Sequence, residues 1–379
     1  MKPADSQHSP LSAWDELPIH QFPAPVRMVA TTDPRAYERY WFAIHDSSGQ
    51  FAITVGMGIY PNLGTGDAFV IVNHGGQHTT VRANRHLRDD RVDLRCGPFV
   101  LECVEPYREW RLGLEENDQG VSFDLRWYDT KRALFQTPIL RKGPFVGGAA
   151  AKIGLSSSGY ESFGQIEGEV HVDGEVLHLA RTTTSGSRDH HWGQRNGVGG
   201  PAKADNFGRA SHFGQWVEFS DWSIWGRRCL FNIDDERPGA LEYLRTEHEL
   251  YFDPETRHLL GGTTWNHLEN GEVKEIRYEQ VSDKVIYMRT AGYMGPGPDR
   301  LGTPADGYYH GLDFGDGVLT RSSYDISDPA TRIELGGFED HVMRATCDDE
   351  EVVGLIEVLN PVIYEWARDG ANGFRLAER

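Results

Sequence analysis

Phe51-Ala52-Ile53-Thr54-Val55-Gly56-Met57-Gly58-Ile59-Tyr60 sets bulky apolar side chains at its odd positions and mostly small residues at its even ones. A period of two marks a β-strand, whose successive side chains point to opposite faces. The face formed by Ala52, Thr54, Gly56 and Gly58 lets a neighbouring backbone or a ligand approach closely. Pro61-Asn62-Leu63-Gly64 then turns the chain into a second apolar run, Ala68-Phe69-Val70-Ile71-Val72, so the two segments read as neighbouring antiparallel strands.

Strand-like runs recur on both sides. Phe99 to Val104, Glu109 to Leu114 and Val121 to Tyr128 follow, with Asn117-Asp118-Gln119-Gly120 as a turn between two of them. Gly168 to Val176 is a hairpin around Asp173-Gly174, a dipeptide that supplies the positive φ angles of a type I′ turn. Asp33-Pro34 is a turn or helix-start signal, but Tyr40-Trp41-Phe42 reads as strand. Strand patterns resume after Asn196-Gly197-Val198-Gly199-Gly200-Pro201, around His212 to Val217, Trp222 to Phe231 and Val285 to Met288. Helix signals are few. Asn360-Pro361 opens a short helix through Trp366 that Asp369-Gly370 would end, and Gly292 to Tyr308 reads as a long loop or a lid. Short strands joined by local turns give an all-β fold of antiparallel barrels or meanders with few short helices.

A chain of 379 residues exceeds the size at which one hydrophobic core keeps growing, so two domains are expected, residues 1–200 and 201–379, divided near the Gly-rich stretch. The formal charge of −19 disfavours binding to a phosphate backbone, so nucleic acid is not expected as a partner. No apolar run is long enough to span a bilayer, and Met1 to His8 lacks the apolar core of a signal peptide. A cytoplasmic protein without a transmembrane segment is expected. Cys96, Cys103, Cys229 and Cys347 form no C-x-x-C pair and read as buried free thiols in a reducing compartment. Homo-oligomerisation is left open.

Reactive side chains are densest in Ser187-Arg188-Asp189-His190-His191-Trp192-Gly193-Gln194-Arg195. On a strand, Arg188, His190 and Trp192 share one face, and Asp189 and His191 share the other. Asp189 admits two roles. With Arg188, His190 and His191 around it, it is a candidate acid or base, because burial raises a carboxyl pKa and a neighbouring cation lowers it. Paired with Arg188 or Arg195, it is a structural anchor at a barrel end. Asn73-His74-Gly75-Gly76-Gln77-His78 reads as a Gly-rich turn with exposed histidines, and Asn73 as a candidate polar group at a pocket mouth. A metal site from His190, His191, His212 and Asp189 is disfavoured because adjacent strand residues diverge. Gly197-Val198-Gly199-Gly200 lacks the strand, glycine and helix context of a dinucleotide site. No metal and no cofactor are expected.

The Asp-x-x-Trp-Gly core from Asp189 to Gly193, the Asp173-Gly174 hairpin and Tyr60-Pro61-Asn62 resemble the AttH and hydroxyneurosporene synthase (carotenoid 1,2-hydratase) group, and within it an uncharacterised bacterial branch. The resemblance extends from near Trp41 to Pro361, and departs from the group at Arg188 and His191. It implies two lipocalin-like antiparallel β-barrel domains with a pocket at or between them. It also implies cofactor-independent hydration, isomerisation or cyclisation of a hydrophobic unsaturated small molecule of isoprenoid, steroid or polyketide type. A protonated Asp189 would then donate to an alkene or enol, His190 or His191 would place water or take a proton, and Trp192 would stabilise a developing cation. Tyr60, Asn73, His212, Trp216, Trp222, Trp225 and Tyr309 are candidates to line the pocket. The competing function is a non-catalytic binding protein for such a ligand, which needs apolar walls but no buried carboxylate beside histidines. A sugar-active β-sandwich would need two facing carboxylates.

Overall fold

The computed structural model describes residues 12–20, 22–88, 90–131, 133–136, 157–195, 197–200, 212–226, 228–231, 242–243, 245–268, 270–293, 305–359 and 373–378. The helix expected after Asn360 and most of the loop between Gly292 and Tyr308 lie outside them.

The first sheet collects β1 (Ala36–Asp46), β2 (Phe51–Tyr60), β3 (Thr65–His74), β4 (Gln77–His86), β5 (Arg95–Cys96), β6 (Phe99–Glu105), β7 (Glu109–Leu114), β8 (Val121–Asp129), β9 (Leu134–Gln136), β10 (Ser157–Val172), β11 (Glu175–Leu179) and β12 (Thr184–Gln194). The second collects β13 (His212–Glu218), β14 (Trp222–Gly226), β15 (Arg228–Phe231), β16 (Glu242–Tyr243), β17 (Arg245–Phe252), β18 (Leu259–His267) and β19 (Val273–Tyr287). After β20 (Leu319–Asp325) and a short helix, α1 (Pro329–Leu335), it is completed by β21 (Glu339–Cys347), β22 (Glu350–Leu359) and β23 (Phe374–Leu376). Asp328 caps α1 by accepting from the Ala330 amide at 3.0 Å.

The expected all-β architecture is present as two curled antiparallel half-barrels. The first sheet runs β20-β4-β3-β2-β1-β12-β10-β8-β7-β6-β5, with β9 and β11 also pairing β10; the second runs β16-β15-β14-β13-β22-β21-β19-β18-β17-β23. Curling brings Cys96 on β5 back to β3, its Sγ 3.9 Å from the Gly66 carbonyl. The Asp173-Gly174 hairpin takes φ of 51° and 87°, as a type I′ turn requires. β20 pairs with β4, so the chain crosses back into the first sheet after most of the second has formed. Cys96 and Cys347 are buried free thiols, whereas Cys103 is an exposed one. No described helix is long and apolar enough to cross a membrane.

β2 is buried along its whole length, which explains why its pattern alternates bulky with small rather than apolar with polar. Phe51, Ile53, Val55 and Met57 fill the first half-barrel with Leu112 and Trp127. The opposite face belongs to a junction cluster in which Ala52, Trp41, Phe69 and Ile71 meet Ile286, Met288, Phe338 and Leu355 from the second half of the chain. The second half-barrel has its own core around Phe213, Phe252, Ile276 and Ile356.

A register shift between Gln280 and Val285 bends β19 and delivers Ile286 to this junction. First-sheet side chains satisfy its backbone there. Asn73 Nδ2 donates to the Val285 carbonyl at 2.8 Å, and the Tyr287 amide donates to His78 Nε2 at 3.0 Å. His78 is therefore buried, not exposed as its turn suggested, and burial depresses its pKa to about 3.

Candidate functional site

β12 lies between β1 and β10, opposite Trp41 and Glu161 at Asp189, and opposite Arg39 and Gly159 at His191. A Cβ on Gly159 would sit 1.9 Å from His191 Cδ2, so only glycine leaves room for the imidazole. The alternation expected from sequence splits the motif. Asp189 and His191 turn toward the sheet junction; Arg188, His190 and Trp192 turn into the first half-barrel.

On the junction side, Arg39 Nη2 donates to Asp189 Oδ1 and Oδ2 at 3.1 and 2.8 Å, while Nη1 donates to Tyr293 Oη at 2.7 Å. Burial works against the Arg39 charge, but Asp189 together with Tyr293 and Tyr37 more than offsets it, and the guanidinium pKa is raised. Asp189 is thus paired with neither Arg188 nor Arg195. Arg188 lies on the other face, and the Arg195 guanidinium carbon sits 4.6 Å from the Tyr293 ring centre. His191 Nδ1 is 3.5 Å from Asp189 Oδ2, and its Nε2 is 3.9 Å from Glu161 Oε1 without a hydrogen bond among the described residues. Burial pushes the His191 pKa down to about 4 against the pull of Asp189, which leaves the ring neutral near pH 7. Trp216 Nε1 donates to Glu161 Oε2 at 2.7 Å, which places this aromatic against the junction cluster.

The second sheet contributes two carboxyls that are cross-strand partners, Asp340 on β21 and Glu357 on β22. Asp340 is fully buried, and neither of its carboxyl oxygens has a hydrogen-bond partner among the described residues. Burial raises both pKa values, and each group is within electrostatic reach of Arg39 and Asp189. Burial of Asp340 and the neighbouring Glu357 charge both favour its protonated form, so this pair retains a proton.

A third polar group adjoins through Tyr293, whose ring centre is 4.7 Å from that of His310. Asp67 Oδ2 lies 3.3 Å from His310 Nδ1 and accepts from the Gly311 amide at 2.9 Å, while Tyr60 Oη donates to Asp67 Oδ1 at 2.9 Å. Burial lowers the His310 pKa, and its Nε2 has no hydrogen-bond partner among the described residues. A Cβ on Gly58 would lie 2.1 Å from the Tyr60 hydroxyl, which gives this position of the small-residue face its purpose.

On the barrel side, Arg188 Nε and Nη2 donate to Asp129 at 2.8 and 2.6 Å. His190 Nε2 is 2.9 Å from Glu38 Oε1, its ring stacks on Tyr40 at 4.0 Å, and Trp192 meets its edge at 5.2 Å. Asn73 is engaged by the β19 backbone. His212 pairs in register with Leu359, its side chain lying outside what is described. Tyr309 is buried next to His310 in the chain. Trp222 stacks on Phe219 at 4.7 Å in the second core. Arg39, Asp67, Tyr293, His310, Asp340 and Glu357 went unnoticed in the sequence. Two signals were there to find. Glu339-Asp340-His341 places three ionisable residues in a row inside a strand, and Asp67 stands just ahead of the apolar run from Ala68 to Val72.

Residues 11–224 match the sequence profile of a family described as a family of unknown function, DUF8625. That is more than half of the chain. This protein belongs to DUF8625. The DUF8625 match covers Arg39, Asp67, Asp189 and His191, whereas Tyr293, His310, Asp340 and Glu357 lie beyond it. No curated protein matches the sequence. Among solved structures, a Nitrosomonas europaea protein with the provisional designation AttH gives a TM-score of 0.47 at 13% identity, covering 90% of this chain and 98% of that one. Kievitone hydratase from Nectria haematococca gives 0.45 at 9% identity, covering 84% and 88%. CghA gives 0.43 at 10% identity, covering 86% and 87%.

Proposed function

We propose that this protein is a cofactor-independent acid–base enzyme acting on a hydrophobic unsaturated small molecule at the sheet junction. The observation that carries this reading is Asp340: a fully buried carboxyl with both oxygens unpartnered among the described residues, within electrostatic reach of the Arg39–Asp189 pair. Leaving a carboxyl in that state costs about 1–3 kcal/mol or more, a cost that catalysis explains.

In this scheme the protonated Asp340–Glu357 pair is the acid and neutral His191 is the base. Proton transfer from Asp340 to one alkene carbon leaves positive charge on its neighbour, which the faces of Trp41 and Trp216 stabilise. Water adding to that carbon gives up a proton to His191, completing a hydration; loss of a substrate proton to His191 instead gives an isomerisation. Asp189, tied to Arg39, is a positioning residue for the imidazole rather than the proton donor. The junction cluster of Trp41, Phe69, Ile286, Phe338 and Leu355 favours an apolar substrate.

The test is deuterium uptake. Purified protein in D2O is incubated with a panel of terpenoid alkenes and hydrophobic enones, and incorporation is read by mass spectrometry. Wild type should label at least one probe class, and Asp340→Asn and His191→Gln should slow labelling by about 10²-fold or more. Probes that bind without ever labelling in wild type would establish the binding-protein function instead.

A further inference from the structure

The barrel face of β12 opens onto a cleft of about 660 Å³ that the acid–base scheme does not use. Tyr40, Tyr107, Trp110, Tyr160, His190 and Trp192 line it. This volume lies within the range of small-molecule sites, about 300–1,000 Å³. Its rings are braced against one another rather than packed shut. Tyr40 and Trp110 are 5.3 Å apart, and Tyr107 meets Tyr160 edge-on at 5.3 Å. Tyr107 is 55% exposed and holds φ at 61°, a conformation that costs a bulky residue about 1–2 kcal/mol where glycine would pay nothing. A turn that retains tyrosine there keeps a ring at the lip of the cleft at the expense of stability.

Trp110 narrows the ligand class. It is 4% exposed, and its indole N–H has no hydrogen-bond partner among the described residues. A buried donor lining a cleft calls for an acceptor from the occupant. Two of the ring faces that could hold a cation are already addressed by the Arg188 guanidinium, 5.7 Å from Trp110 and 5.3 Å from Tyr160. We infer that the first half-barrel carries a second, separate site for a neutral, planar aromatic molecule with a carbonyl oxygen, its ring stacked among these side chains and its oxygen accepting from Trp110. The two faces of one strand thus serve two sites, Asp189 and His191 behind, His190 and Trp192 in front.

Ligand-observed NMR titrations of the full chain with 2-acetylnaphthalene, naphthalene and tetramethylammonium test this. Wild type should bind the ketone several-fold more tightly than naphthalene, and Trp110→Phe should erase that preference while leaving naphthalene binding in place. Tyr107→Gly, at an exposed position whose backbone suits glycine, should weaken both aromatics without loss of folding. Asp340→Asn should change neither, which separates this site from the junction. The inference is overturned if Trp110→Phe keeps the preference, if Tyr107→Gly binds both aromatics as wild type does, if Asp340→Asn abolishes binding, or if tetramethylammonium displaces the ketone.

Discussion

Arg39 reaches from β1 across to β12 and places Nη2 2.8 Å from Asp189 Oδ2, so the carboxylate at the centre of the sequence motif is held by a cation 150 residues away in the chain. With side-chain exposures of 9% and 11%, neither charge has more than marginal access to water.

Asp189→Asn should therefore destabilise the protein markedly, by about 3–5 kcal/mol, because Arg39 is left as a buried uncompensated charge. The double variant Asp189→Leu with Arg39→Met should recover much of that loss. Urea denaturation of the three proteins measures both effects. A single variant as stable as wild type would mean that the pair contributes nothing.

Asp340→Asn should act in the opposite direction. Burial raises the Asp340 pKa above its unfolded value, so its contribution to stability is fully present below about pH 3.9 and is lost as pH rises through the folded value. The neutral amide escapes that loss. Its melting temperature should equal that of wild type near pH 4 and exceed it increasingly toward pH 8. A constant difference across the range would contradict a carboxyl with a raised pKa.

Acid should unfold this protein earlier than its surface charges alone would require. Burial depresses the pKa of His45 to about 4, of His78 to about 3 and of His191 to about 4. Their stabilising contribution is present above about pH 6.5 and is lost as pH falls through the folded values, because the unfolded chain takes up protons that these rings refuse. The urea midpoint should fall between pH 6.5 and 4.5, and His78→Gln, which retains an acceptor for the Tyr287 amide, should reduce the slope. A flat midpoint down to pH 5 would refute the buried neutral state.

Two ion pairs of the first sheet should respond very differently to the loss of a carboxylate. Arg188 and Asp129 are 0% and 1% exposed, so Asp129→Asn should cost about 3–5 kcal/mol. Arg111 and Asp124 are 48% and 63% exposed, so Asp124→Asn should cost about 1 kcal/mol or less. Similar melting temperatures for the two variants would show that burial does not set the cost here.

The strand pattern of Phe51 to Tyr60, the Asp173-Gly174 turn and the opposed faces of Asp189 and His190 were legible without coordinates. They rest on period-two geometry and positive φ, properties that a chain carries locally. The identity of Asp189's partner was not, because Arg188 and Arg195 are near in sequence but β-structure turns neighbours apart and joins Arg39 from another strand. The meaning of the small-residue face was equally hidden. Alternation announced a face that something approaches, but only the folded chain shows that Ala52 joins the junction with the second sheet while Gly56 and Gly58 make room for Phe69 and Tyr60 of the first.

The sequence by itself determined an all-β chain, the strands on which its reactive residues stand and the face of the strand each one takes, since these follow from local sterics and side-chain alternation. Tertiary structure alone decided that Asp340 and Glu357 come within electrostatic reach of the Arg39–Asp189 pair, that Tyr293 bonds Arg39 and packs on His310, and that His190 and Trp192 face a cleft of their own. The physical reason is that burial and pairing are properties of the space between two sheets. No period along one strand records which residues of the other will be pressed against it.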